Sequence, residues 1–123
     1  MNKKITHHKI GLISEEIAKK FLQIKGYKII AQRIKYKCGE IDILASKNQI
    51  YYIIEVKKRD STTEALASIS SKSIKRSINT FFAYAQENNL TYDQIYFKGI
   101  ILNSFFVPQL IDIDTFDFDP LQQ

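Results

Sequence analysis

One segment decides the fold of this chain: residues 39–57, GEIDILASKNQIYYIIEVK. Apolar and polar residues alternate on both sides of its polar centre, which predicts two antiparallel strands joined by a tight turn. With Lys47 and Asn48 at the turn, we expect Asp42 to face Ile53 and Glu40 to face Glu55. The segment therefore predicts a β-hairpin with acidic groups on both strands.

The predicted hairpin places Asp42, Glu55 and Lys57 on one face, because side chains alternate along a strand. Asp42 and Glu55 then lie diagonally across the strand pair, with their Cα atoms roughly 7–8 Å apart. A slip of one residue would send the carboxylates to opposite faces, so this expectation depends on the register. The opposite face is expected to be core and consists of Ile41, Ile43, Tyr52, Ile54 and Val56.

Two carboxylates at this separation suit a hard cation, Mg²⁺ or Mn²⁺, which binds oxygen at about 2.0–2.1 Å. Such a cation polarises a phosphate and lowers the pKa of an attacking water, while Lys57 orients that water or neutralises developing charge. The pattern predicts phosphodiester cleavage. Short patterns of this kind also recur by chance, and the alternative is a surface Asp, a strand-edge Glu and a solvated Lys.

The length of 123 residues predicts a single domain, residues 1–123, with a flexible start at 1–8 and an acidic tail at 114–123. No apolar run approaches the roughly 18 residues of a membrane span. The first residues lack the apolar stretch of a secretory signal, and the lone Cys38 has no partner for an internal disulfide. We therefore expect a globular cytoplasmic protein that does not enter a membrane.

The formal net charge is +5, and the acidic residues near the C-terminus leave a still more basic body. A basic body favours a polyanionic partner, with DNA the leading candidate, although many cytoplasmic proteins are basic for solubility alone. A charged sheet edge and a solvated helix face remain open as explanations of individual residues. The candidate nucleic-acid contacts are Arg33, Lys35, Lys37, Lys58, Arg59, Lys72, Lys75 and Arg76.

The remaining pattern predicts helices on both sides of the hairpin. Apolar residues at three- and four-residue steps predict a helix over about 9–25 whose apolar stripe packs on the sheet. Its members are Ile10, Ile13, Ile17, Phe21 and Ile24. Glu15 lies on a different strip with Gly11, Ala18 and Leu22, which suggests either a functional acid or a favourable helix-dipole position.

Strands are predicted over 27–36, 94–103 and 107–113, with Pro108 at a sheet edge. A helical region over about 61–88 changes its apolar phase at Ser70–Ser73, which predicts a kink or two helices. The fold class is therefore α/β, an αβββαβ core with a mixed sheet flanked by helices.

This order, together with Glu15, Gly39-Glu40-Ile41-Asp42 and Glu55-Val56-Lys57-x-Arg59, resembles the YraN family of predicted endonucleases. That family is related to archaeal Holliday-junction resolvases and has the restriction-endonuclease-like fold of the PD-(D/E)xK superfamily. The resemblance covers residues 11–60 best.

The resemblance implies roles for five residues. Asp42 and Glu55 become metal ligands, with Val56 contributing its backbone carbonyl. Lys57 becomes the catalytic lysine, and Glu15 the helix acid that completes the site. It also implies a homodimer, since junction-cutting relatives cut two symmetric strands.

We therefore expect a metal-dependent DNA endonuclease that acts on branched or single-strand-containing DNA. One alternative is a module of the same fold that binds nucleic acid without cutting it. Another is a protein–protein adaptor that uses the aromatic, acidic tail.

Overall fold

The structure of the chain is a computed structural model that describes residues 6–113. The predicted acidic tail lies outside these residues, as does most of the predicted flexible start. Within the described part, no helix is long and apolar enough to cross a membrane. The elements are α1 (His7–Ile24), β1 (Lys28–Tyr36), β2 (Gly39–Lys47), β3 (Ile50–Lys58), α2 (Thr62–Ala67), α3 (Ser71–Glu87), β4 (Ile95–Leu102) and β5 (Pro108–Asp112).

The five strands form one mixed sheet in the order β1-β2-β3-β4-β5. β3 and β4 are parallel, while the other neighbouring pairs are antiparallel. The chain passes from β3 to β4 through α2 and α3, as a parallel pair requires a crossover connection. The predicted α/β class with a mixed sheet flanked by helices is confirmed, and Pro108 begins the edge strand β5 as expected.

The core consists of two apolar clusters, one under each helical layer. The cluster on the α3 side contains buried residues of α3 and of β1 to β4, among them Phe81, which is fully buried. The cluster on the α1 side contains Ala18 and Leu22 of α1 and buried residues of β2, β3 and β4. The hairpin of β2 and β3 is therefore covered on both faces.

The apolar stripe predicted for α1 is only partly right: Ile17 and Phe21 pack against the cluster on the α1 side, but the centre of the contact lies on another strip. Ser14, Ala18 and Leu22 are the buried residues of this helix, whereas Ile24 is 85% exposed and Ile13 is 40% exposed. Small side chains at positions 14 and 18 let the helix backbone approach the sheet closely, so the strip they form becomes the contact. The strip that faces the sheet is thus the one adjoining Glu15.

The break in the second helical region is confirmed, because α2 ends at Ala67 and α3 begins at Ser71. Each helix has its own N-cap, which satisfies a backbone N–H that would otherwise lack a partner. The Ser61 hydroxyl accepts a hydrogen bond from the backbone N–H of Glu64 at 3.1 Å. The Ser70 hydroxyl accepts one from Ser73 at 3.1 Å.

Candidate active site

The turn between β2 and β3 sets the position of the two acidic residues. Asn48 and Gln49 have φ angles of 52° and 68°, which is the left-handed pair that a two-residue hairpin turn requires. Lys47 pairs with Ile50 across this turn. The predicted turn at Lys47 and Asn48 is therefore wrong by one residue.

The corrected turn shifts the whole hairpin register. The regular pairing of β2 with β3 runs from the turn to Ile43 and Ile54. Asp42 and Glu55 are the next residues on the two strands. They are level with each other rather than diagonal, and the predicted pairing of Asp42 with Ile53 is wrong. The partner of each residue moves by two positions, so both carboxylates stay on one face.

The alternation of β2 is interrupted at Asp42. Ile41 packs in the cluster on the α3 side, although Ile43, two residues away, packs on the α1 side. On the neighbouring strand, Arg33 lies between the residues that pair with Ile41 and Ile43, and its φ is 51°. The expectation that Ile41 shares a face with Ile43 is therefore wrong, and both strands depart from regular geometry beside Asp42.

A hydrogen bond to the neighbouring strand fixes the Asp42 side chain. Its Oδ2 accepts the backbone N–H of Val56 at 2.8 Å. This bond joins β2 to β3 just beyond the Ile43–Ile54 pair, where the regular backbone pairing ends. The carboxylate therefore takes part in holding the two strands together. The irregular backbone thus orients Asp42 toward β3.

An open cleft of about 320 Å³ lies where the hairpin meets α3. The structure brings Asp42, Glu55 and Lys57 together in its wall, as the sequence predicted. The Lys57 Nζ lies 3.4 Å from Glu55 Oε1. The other residues that line the cleft are Gly39, Glu40, Ser73, Arg76 and Ser77.

The environment disfavours negative charge on both acids. Burial, followed by the charge of Glu55, raises the pKa of Asp42 to about 7, although the Val56 N–H and the Lys57 ammonium act in the opposite direction. Burial also raises the pKa of Glu55, against the lowering effect of Lys57. Two carboxylates that repel each other in a partly desolvated cleft are a common feature of functional sites.

Glu15 lies close to the site but not in the cleft wall. Its side chain is only 14% exposed, and its Oε2 accepts a hydrogen bond from Arg33 Nε at 2.8 Å. Its charge contributes to the raised pKa of Asp42. The helix acid expected to complete the site is therefore near Asp42 and held by an arginine.

The first half of α3 forms the wall opposite the hairpin. A Cβ atom on Gly39 would lie 3.0 Å from the Arg76 carbonyl oxygen and from Thr80 Oγ1, so a glycine is needed for this close approach. The Ser77 hydroxyl donates to the Glu40 carbonyl at 3.1 Å. Sequence reasoning missed the serines of the cleft, and Gly39 before an acidic residue was the only local signal of the contact.

The candidate nucleic-acid contacts divide into four groups. Arg76 lines the cleft, whereas Lys58 and Arg59 follow Lys57 in the chain, and the Lys58 Nζ lies against the Phe106 ring on the α1 side of the sheet. Arg33 is engaged by Glu15. The remaining four are separate from the cleft wall: Lys35 on β1, Lys37 in the β1–β2 turn, and Lys72 and Lys75 on the exposed surface of α3.

The donor set fits a hard divalent cation in chemistry, with two carboxylates as its protein ligands. Among residues 6–113, no group of three or more His, Cys, Asp or Glu side chains is arranged to hold a metal ion. Asp42 and Glu55 alone leave most of a coordination sphere to water and phosphate oxygens, as is usual for Mg²⁺ at phosphate-processing sites. A cation would also offset the burial, and the repulsion from neighbouring carboxylates, that raise the pKa of each acid.

Comparison with known proteins gives a consistent picture. The model of an uncharacterised protein family, UPF0102, matches residues 14–102. A UPF0102 protein of Campylobacter hominis is 36% identical over 97 residues, covering 78% of this chain and 87% of that protein. One of Rhodopseudomonas palustris is 31% identical over 112 residues, covering 89% and 86%. One of Rhizobium etli is 42% identical over 66 residues, covering 54% of each. The region matched by the family model contains all the residues of the cleft and Glu15. Because that model matches most of the sequence, this chain belongs to the UPF0102 family.

Proposed function

We propose that this protein is a metal-dependent endonuclease that hydrolyses phosphodiester bonds in DNA, with a restriction-endonuclease-like site. The observation that carries the proposal is the meeting of Asp42, Glu55 and Lys57 in one cleft. The two acids lie on adjacent strands with raised pKa values, and an ammonium lies beside them. A purely structural ion pair would need only one acid.

The donor chemistry assigns each residue a task. Asp42 and Glu55 bind Mg²⁺ or Mn²⁺, with the Val56 carbonyl as a further proposed ligand. Bound there, the cation supplies Lewis-acid polarisation of a phosphoryl oxygen and lowers the pKa of a water molecule. Lys57 donates a hydrogen bond to the attacking water or to the charge that develops on phosphorus.

The opposite wall supports the same assignment. Arg76 presents a guanidinium from α3, and this group suits a phosphate oxygen. The cleft is open, so a polymer can lie across it. Arg59 adds an exposed positive charge just beyond the end of β3. The arrangement favours a polyanionic substrate over a neutral one.

Cleavage is tested with supercoiled, single-stranded and four-way-junction DNA in the presence of Mg²⁺ or Mn²⁺. Asp42→Asn and Lys57→Met should each lower the rate by about 10²–10³-fold, the usual effect of removing a charge-stabilising group. The matched controls are Glu16→Gln and Lys20→Met, which change exposed residues of α1. Equal products from the wild type and Asp42→Asn would show that a contaminant cuts the DNA.

Metal binding is tested separately from activity. In the absence of DNA, Mn²⁺ should raise the melting temperature of the wild type, because a ligand that binds only the folded state stabilises it. The shift should be lost in Asp42→Asn and kept in Glu16→Gln. An equal shift in all three proteins would place the ion elsewhere.

A further inference from the structure

The turn between β4 and β5 presents an exposed aromatic ring at the same end of the sheet as Lys57. β4 runs parallel to β3, with Ile101 level with Lys57 and Leu102 level with Lys58. The turn begins at Asn103, directly after β4 ends. From the strand spacing of about 4.8 Å and rise of about 3.3 Å per residue, Phe105 lies on the order of 10–15 Å from the Lys57 backbone. That distance corresponds to a few nucleotides of a single strand.

The turn has a defined conformation. The Asn103 side-chain oxygen accepts the backbone N–H of Phe105 at 2.8 Å, and the Asn103 carbonyl accepts that of Phe106 at 3.0 Å. The Ser104 hydroxyl donates to the Asp60 carboxylate just beyond β3. The last of these bonds attaches the turn to the segment that follows β3, the strand that carries Glu55 and Lys57. The backbone at Phe105 is therefore held in place, so the turn need not be ordered when a ligand binds.

The two neighbouring phenylalanines have different environments. Phe106, with φ at 59°, packs against the cluster on the α1 side, and the Lys58 Nζ lies 5.1 Å from the centre of its ring. Phe105 is 86% exposed. The turn thus packs one ring against the core and exposes the other. It begins directly after Leu102, whose carbonyl accepts the backbone N–H of the exposed Arg59 at 2.9 Å.

An exposed ring close to positive charge has the chemistry of a nucleotide-stacking site. Every base offers a π-face to an aromatic side chain, while neighbouring Lys and Arg side chains contact the phosphates. A base within a duplex already stacks on its neighbours and is not free to do so. We propose that Phe105 stacks on an unpaired base, so that the substrate is DNA with single-stranded nucleotides within a few positions of the cut.

This inference rests on the proposed DNA substrate and adds the form of DNA that the site takes. The alternative occupant of the exposed ring is a second copy of the chain. The two differ in what they require of Phe105, since stacking needs an aromatic ring whereas an apolar contact between copies needs only a hydrophobic one. Both are therefore tested with the same variants.

A spectroscopic test uses the absence of tryptophan from this chain. Phe105→Trp introduces a single reporter at the turn, and Tyr96→Trp places one at a 45% exposed aromatic position near the other end of β4. With EDTA present, a single-stranded 12-mer of thymidylate should quench Trp at position 105 but not at position 96. A blunt duplex should quench neither, and equal quenching at both positions would overturn the proposal.

An affinity test with metal-free protein measures the same contact. Phe105→Leu should weaken binding to single-stranded and forked DNA by about tenfold while leaving duplex binding unchanged, as expected for the loss of one stacked base. Val107→Ala changes another exposed residue of the turn, 57% exposed, and should bind like the wild type. Unchanged single-strand affinity in Phe105→Leu would overturn the proposal. So would a wild-type dimer that Phe105→Ala converts to monomers while Phe105→Leu does not.

The two proposals can fail separately. Quenching and selective binding without any metal-dependent cleavage would remove the endonuclease and keep the stacking contact. Metal-dependent cleavage of duplex and forked DNA at equal rates, unaffected by Phe105→Leu, would remove the stacking contact and keep the endonuclease.

Discussion

Asp42 is a charged group in a place where charge is disfavoured. Burial and the charge of Glu55 raise its pKa from 3.8 to about 7, so the folded protein holds a proton there that the unfolded chain releases near pH 4. Between these values the folded state binds more protons. The stabilisation that the proton on Asp42 contributes is therefore fully present below about pH 4 and is lost as the pH rises through about 7. The site is least stable in the ionised form that binds a cation.

Asp42→Asn should consequently stabilise the metal-free protein at pH 8. An asparagine oxygen can still accept the Val56 N–H, while the buried charge is gone. We expect the melting temperature in EDTA to rise by about 4 °C or more at pH 8 and the difference to vanish near pH 4. Circular dichroism melts at both values measure it, with Glu16→Gln as the control. A variant less stable than the wild type at pH 8 would contradict the raised pKa.

Residue patterns located the acids but not their register. Alternation identified both strands of the hairpin, and the polar stretch between them located the turn to within one residue. The choice between Lys47-Asn48 and Asn48-Gln49 was not accessible, because glutamine rarely adopts the positive φ that Gln49 has. Asp42 and Glu55 still lie on one face, because moving the turn by one residue changes each cross-strand partner by two residues, and side chains two residues apart share a face.

At the scale of the element, the β2–β3 turn offers a direct test of its own geometry. Gln49 lies at φ 68°, where a side chain is disfavoured and glycine is not. Gln49→Gly should stabilise the protein by about 0.5–1 kcal/mol, whereas Gln86→Gly, in the exposed surface of α3, should destabilise it by about 1 kcal/mol. Urea denaturation measures both, and a loss of stability in Gln49→Gly would mean that the turn lies elsewhere.

The helix α1 shows why an apolar pattern misplaced the centre of a contact face, although Ile17 and Phe21 of the predicted stripe do pack against the core. Isoleucines outnumber other apolar residues on the predicted stripe, but the sheet accepts the helix where its side chains are smallest, at Ser14 and Ala18. Periodicity counts hydrophobic residues and does not register how near a helix backbone comes to its neighbour. Glu15 consequently lies closer to the sheet than a wet helix face would place it.

Overpacking distinguishes the two faces of α1. Ala18 is fully buried and Ile24 is 85% exposed. Ala18→Leu should therefore destabilise the protein by about 1–3 kcal/mol, while Ile24→Ala should change its stability by less than about 0.5 kcal/mol. Denaturant midpoints of the two variants provide the comparison. The reverse order would restore the isoleucine stripe as the contact face.

At the scale of the whole molecule, the cleft joins segments that are distant in sequence. Ser73, Arg76 and Ser77 reach the hairpin because α3 crosses back over the sheet between β3 and β4. The fold class followed from element order alone. The α3 wall of the cleft could not be predicted in this way. Its contacts depend on where α3 packs along the hairpin, and no local motif determines that position.

The distribution of positive charge predicts how DNA lies on this surface. Arg76 lines the cleft, and Lys72 and Lys75 continue from it along exposed positions of α3. If the backbone of the substrate follows this line, each lysine neutralises about one phosphate. The logarithm of the association constant should then fall with the logarithm of salt concentration with a slope of roughly −3 to −6, for four to seven phosphates.

Replacing Lys72 and Lys75 together by glutamine should make this slope shallower by roughly 1–2 and weaken binding to all DNA sequences alike, as expected for phosphate contacts. Lys20→Gln removes an exposed positive charge from α1, on the other face of the sheet, and should leave the slope unchanged. Fluorescence anisotropy between 50 and 200 mM salt, about a fourfold range, resolves the difference. Equal slopes for the double variant and the wild type would exclude α3 from the path of the DNA, because counterion release counts only the charges that the phosphates approach.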